Sequence, residues 1–124
     1  MSHMNKPLVE QSFDMVRQCI KSSVPPCTTT VDTPTHYESV AINGDQKHLF
    51  GFVVAHQDVI TVGINEEIPE EDLKQMVSER LLKMMNQHRR FEIRTILVKD
   101  LHQDVQDAFN NLLYYYNQIG WTKI

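Results

Sequence analysis

The sequence predicts an α+β domain in the order α-β-β-β-α-β-α, with an antiparallel three-stranded meander plus a fourth strand, packed with three helices. Three observations predict it. Residues 49–64, LFGFVVAHQDVITVGI, form two short apolar runs split by the polar loop His56, Gln57 and Asp58, and runs of that length bounded by turn residues are strands. Three other stretches repeat apolar residues at three- and four-residue steps, the period of an amphipathic helix. Asn43-Gly44 supplies the backbone freedom of a tight hairpin turn.

Residues 1–4 (MSHM) read as a cloning remnant, leaving 5–124 as a single domain. Over 8–22, Val9, Phe13, Val16 and Ile20 form the first helical stripe, with Cys19 beside it as a small buried residue. Pro25 and Pro26 end that helix. Residues 27–35, rich in Thr and carrying Pro34, suit an extended entry or an edge strand. Residues 36–43 alternate as a strand, and the turn at Asn43-Gly44 joins it to the next.

In the central hairpin, Phe50, Phe52 and Val54 are expected on one face with Ile60, Val62 and Ile64, which sets Ala55 opposite Val59 across a three-residue loop. That register places Gly51 across from Gly63. Two opposed glycines leave a slot that a packed helix fills or a ligand enters. Tyr37 then joins the Phe50 face, while Val40 and Ile42 join Leu49 and Val53 on the other. Both faces thus carry apolar groups, where an antiparallel sheet with one wet face would alternate cleanly. A helix, a second subunit or a bound molecule is therefore expected on the second face.

The middle helix is expected over 69–87. Pro69 stands at its start, Glu70, Glu71 and Asp72 lie at its positive end, and Leu73, Met76, Val77, Leu81 and Met84 form its stripe. Glu70 with Lys74 and Glu79 with Lys83 are spaced as exposed helical pairs. His88, Arg89 and Arg90 close the helix as cations at its negative end. With Arg94 they form the alternative, an anion site. Residues 91–99 form the fourth strand, either parallel to the third through a right-handed crossover or at the edge beside the first. Asp100 is the expected N-cap of the last helix, with Gln103 as its capping-box partner. That helix runs over 101–118, burying Val105, Phe109, Leu112, Tyr116 and Ile119, and Gly120 stops it. Tyr114, Tyr115 and Tyr116 are consecutive and cannot share one face at 100° per residue. Tyr114, Tyr115 and Trp121 are the candidate interface residues.

A net charge of −4 with both signs interspersed argues against non-specific nucleic-acid binding. No apolar run reaches the ~18–20 residues of a membrane span. Two cysteines eight residues apart, without CxxC spacing, fit a reduced pair in the cytoplasm. His36, His48, His56, His88 and His102 are scattered without metal-ligand spacing, and no nucleophile elbow or phosphate loop occurs. No metal, cofactor or catalytic residue is assigned.

PTHYESVAIN with FGFVVAHQDVITVGI, the helix entry IPEEDLKQMV, and the strand closed by KDLHQDVQDAFNNLLYYY resemble the YdhG-like bacterial domain over residues 12–116. The resemblance implies a compact intracellular α+β fold of unassigned activity and transfers no catalytic residue. The chain is also similar in size, acidity and α+β make-up to the type III secretion chaperones, which clasp an extended partner segment.

The functional expectation is a non-enzymatic interaction module, a homodimer or a protein-partner binder, using the second sheet face or the tyrosine-bearing helix. The alternative is a small-ligand domain or enzyme at the Gly51/Gly63 slot, with Val53 and Thr61 beside it and His48, Arg94 or Tyr37 at its mouth. A secretion-chaperone-like or immunity-type protein is a third.

Overall fold

The computed structural model describes residues 7–122; the cloning remnant expected at 1–4 lies outside the described residues. The chain begins with α1 (Leu8–Lys21), continues through four strands, β1 (Thr28–Thr33), β2 (His36–Asn43), β3 (Gln46–His56) and β4 (Val59–Ile64), and then through two short helices, α2 (Glu70–Met76) and α3 (Glu79–Met84). It returns as β5 (Arg90–Arg94), makes a 3-10 turn at Thr95–Leu97 and ends in α4 (Val98–Gln118). The strands form one antiparallel sheet in chain order, β1-β2-β3-β4-β5. This is an α+β fold with an antiparallel meander, longer by one strand than expected because 28–33 pairs along the edge of β2.

Helix α1 forms on the stripe read from the sequence: Phe13, Val16, Cys19 and Ile20 are buried on the sheet. At its margin the Arg17 guanidinium binds both Asp32 oxygens, at 2.8 and 3.0 Å, and lies 5.0 Å over the Tyr37 ring. Helix α4 buries Val105, Phe109, Leu112 and Tyr116 and packs on the same side of the sheet, where Phe109 and Tyr116 meet Phe50. The core between sheet and helices is closed by Tyr37, Val53, Ile60, Val62, Phe91 and Ile93.

The register of the central hairpin differs from expectation by one residue. The turn holds two residues, with Gln57 at φ 55°, so His56 pairs with Val59, Gly51 with Ile64 and Phe52 with Gly63. A bulge on β3 compounds the shift: Ser39 pairs with Gly51 and Val40 with Leu49, leaving Phe50 as the extra residue. An extra residue re-aims the side chains around it. Phe50 therefore stays in the core with Val53, whereas Phe52 and Val54 turn to the opposite face. Cross-strand matching explains the choice, since this register sets Val53 against Val62 and Ala55 against Ile60 on the helix-covered side.

The middle helix is interrupted at Val77 and Ser78, both extended. Ser78 caps α3, its Oγ accepting from the Leu81 amide at 3.4 Å and donating to Asp104 Oδ2 at 2.7 Å. Arg80 clamps the same carboxylate through Nε at 2.7 Å and Nη2 at 3.0 Å. Leu73, Met76, Val77 and Leu81 of the expected stripe all reach the core despite the break.

Strand β5 stops at Arg94 and pairs with β4, the 59–64 strand expected as one possible neighbour, but runs antiparallel to it and does not lie beside the 36–43 strand. Two short helices return the chain to the end of the sheet it left, where the Ile64 amide bonds Arg89 O at 3.0 Å. A strand that re-enters at that end must run against its neighbour. Residues 95–97 then leave the ladder, and Ile96 is 63 % exposed. Asp100 falls within the first turn of α4 instead of capping it, and Gln103 bonds Asp107 one turn on, at 2.8 Å. Ile119 is exposed, while Gly120 adopts the expected left-handed stop at φ 81°. Because α3 ends at Met84, His88, Arg89 and Arg90 do not close a helix; they form a turn and open β5.

The Asp104 carboxyl is held below the usual carboxylate range by its hydrogen bonds from Arg80 and Ser78. A group depressed in the folded state stabilises above its unfolded pKa of about 3.9 and loses that contribution as pH falls through the folded value. Asp104→Asn is expected to lower stability at neutral pH and to flatten the acid limb of the stability curve. Urea denaturation at stepped pH measures both, and parallel acid limbs for the two proteins would refute an ionic role for the clamp.

Candidate functional site

With α1 and α4 on one side of the sheet, the other side carries no helix among the described residues. Its middle is apolar. Phe52 lies across Gly63, whose missing side chain gives the ring room, and Leu49, Val54 and Val59 flank it half-buried. Val40 is covered by its neighbours, and Ile42 is 41 % exposed. The margins are charged. Strands alternate their side chains, so Glu38 and Lys47 on one half and Arg90, Glu92 and Arg94 on the other share this face with Phe52. The Arg90 guanidinium stands 5.1 Å over the Phe52 ring, and the His36 ring meets its edge at 6.4 Å. The aromatic is thus held flat by a cation on one side and an imidazole on the other.

The residues expected to line a slot do not converge. Gly51 faces the helices, where a Cβ would stand 2.5 Å from Phe109 Cε1, and Gly63 faces outward beneath Phe52. Each glycine is occupied by an aromatic ring, on opposite sides of the sheet. Val53 is in the core, while Thr61 and Arg94 are on the outer face. Tyr37 is buried with its hydroxyl 2.7 Å from Thr29 Oγ1. His48 lies at the hairpin end of the core side, stacked on Trp121 at 3.8 Å with the rings 1° from parallel, its Nδ1 3.3 Å from Glu67 Oε1.

The four residues of the expected anion cluster do not converge on one site, although His88 and Arg90 border one shallow cleft with Glu66 and Glu67 and Arg90 shares the outer face with Arg94. His88 Nδ1 is 3.2 Å from Glu66 Oε1, Arg90 covers Phe52, and Arg94 is exposed on the outer face. Arg89 donates to Ile68 O at 3.0 Å and alone of the four borders a cleft beside α2.

The tyrosine end is also divided. Tyr114 is 66 % exposed. Tyr115 donates its hydroxyl proton to Asp72 at 2.7 Å, and desolvation together with that carboxylate pushes its pKa up to about 12. Trp121 is spent on His48, and Tyr116 O–H bonds Leu49 O. Tyr114 is thus the exposed tyrosine of the run, as the helical spacing requires of at least one, while Tyr115 and Trp121 are half-buried.

Cys19 and Cys27 are buried free thiols, and burial pushes Cys19 up to about 11, so neither is poised as a nucleophile. Among the described residues no three His, Cys, Asp or Glu side chains gather as a metal site, and no helix is long and apolar enough to cross a membrane.

The sequence pointed to two apolar sheet faces but put Val53, instead of Phe52 and Val54, on the second. The signal was Gly51 itself, since an isolated glycine inside a strand often marks a bulge. Comparison of the chain with protein-family models, curated proteins and solved structures finds no match to any of them.

Proposed function

We propose that the protein is a non-enzymatic, cytoplasmic interaction module that self-associates through the outer face of its sheet. The observation that carries this is the bare face itself, with Leu49, Phe52 and Val54 at its centre. Contiguous apolar surface of this kind, rimmed by polar groups, is a feature of association sites. Two buried free thiols support a reducing compartment.

The charge pattern favours a second copy as occupant. A two-fold axis along β3 sets the β1–β2 half of one copy over the β4–β5 half of the other at the same height along the strands, bringing Glu38 toward the row that holds Gly63 and Arg90. Strands roughly 4.8 Å apart and about 17–20 Å long give a face small enough that a pair buries about 1,000 Å2, near the lower bound for a specific interface. The dimer is accordingly reversible and concentration-dependent.

Sedimentation velocity from micromolar to millimolar protein is expected to show a monomer–dimer equilibrium. Phe52→Glu is expected to shift it to monomer with unchanged circular dichroism, because it removes the apolar centre of the face and, beside the axis, sets the carboxylates of the two copies against each other. A wild-type protein that stays monomeric at the highest concentration would overturn self-association.

A further inference from the structure

The geometry points to a binding site for a small monocarboxylate with an apolar body, in the cleft between α2, α3 and the turn at 86–89, away from the sheet face. The cleft has a volume of about 410 Å3, within the ~300–1,000 Å3 of small-molecule sites. Leu73, Leu82 and Met85 give it an apolar wall, and Lys74 and Arg89 bring two cations to it.

Arg89 is the informative residue. Its backbone is left-handed at φ 60°, a conformation uncommon outside glycine. Two bonds fix it there: its amide donates to Asn86 O at 3.0 Å, and its carbonyl accepts from the Ile64 amide at 3.0 Å. The guanidinium spends Nη2 on Ile68 O, while Nη1 is buried and has no acceptor. An arginine has five donors in a planar fork and is always charged. Leaving an arm unmet in a buried setting is costly, and a carboxylate is the group that meets such a fork two-handed.

Nη1 is at present covered, so the bound state requires the guanidinium to rotate toward the cleft about its terminal torsions. Lys74 adds a second attraction. Glu70, also on the lining, opposes a second negative charge and so disfavours phosphate and dicarboxylates. The apolar wall selects a hydrocarbon body over a sugar.

The test titrates the protein with hexanoate, neutral hexanamide and inorganic phosphate, following the Arg89 Nε–H and the Asn86 and Gln87 side-chain amides by 15N–1H NMR. Hexanoate is expected to give saturable shifts confined to these groups, with hexanamide and phosphate each weaker by about tenfold or more, one 1.4 kcal/mol step. Lys74→Gln should weaken hexanoate several-fold, and Leu82→Trp, which fills the cleft without touching a charge, should abolish it. Arg89→Met also removes the Ile68 bond, so the two milder variants carry the test if that protein fails to fold. An apolar tripeptide with a free C-terminus that outcompetes hexanoate would assign the same carboxylate subsite to a chain end. Equal binding of hexanoate and hexanamide, equal binding of phosphate, or no saturable shift with hexanoate overturns the site. None of these outcomes bears on self-association through the sheet.

Discussion

Phe109→Ala is expected to lower the free energy of unfolding by about 3–5 kcal/mol, the range for removing a buried aromatic side chain. Against a total stability of about 5–15 kcal/mol for a domain of this kind, that is a large fraction. Phe109 is 2 % exposed, and its ring meets Phe50 with centroids 5.6 Å apart. It also lies over Gly51, where the sheet presents no side chain. A glycine cannot relax into the void left by a lost ring, so the cavity survives and the cost should fall in the upper half of the range. Urea denaturation would show the drop in midpoint, with an unchanged slope if the denatured state is unaltered. A loss below about 2 kcal/mol, less than such truncations ordinarily cost, would mean that α4 is anchored elsewhere, through Tyr116 or the Asp104 clamp.

Much of this arrangement was legible in the sequence because it is local. The stripe of α1, the stripe and glycine stop of α4, and the period-two runs of β2, β3 and β4 each reflect burial on one side of one element. What was not legible depends on a choice between elements. The chain near Val77 can continue a helix or break at Ser78, and the break wins because Asp104, 26 residues later, offers Ser78 and Arg80 a shared carboxylate. Residues 95–99 have strand-like composition, but Thr95 bonds Asp58 O at the hairpin tip, where the ladder available to β5 runs out. The central register was harder still. Two- and three-residue turns at His56-Gln57-Asp58 are both chemically reasonable, and only pairing across the sheet separates them. The same one-residue step decided the candidate site. It dissolved a glycine slot shared by one face and turned Phe52 and Val54, half-buried, onto the outer face.

Gly51 and Gly63 are expected to respond differently to the same substitution. A methyl added at either position would run into an aromatic ring: Phe109 at Gly51, Phe52 at Gly63. Gly51→Ala presses on a ring enclosed by Phe50 and the rest of the core, and overpacking of that kind costs about 1–3 kcal/mol. Phe109→Leu in the same chain should recover part of that loss, a non-additivity expected only of side chains in contact. Gly63→Ala presses on a ring held by one cation and one imidazole at a half-exposed surface, and Phe52 can lift away from the strand. Its stability cost should stay below about 1 kcal/mol, since the ring escapes without disturbing packed neighbours. The consequence appears instead in association, because a lifted Phe52 no longer lies flat on the face that the second copy must meet. Denaturation curves and sedimentation of the two alanine variants separate the roles. Gly51→Ala should be the less stable protein and still dimerise where folded, and Gly63→Ala should be nearly as stable as the wild type and largely monomeric. The opposite assignment would mean that the ring over Gly51, and not the ring over Gly63, lies at the contact between copies.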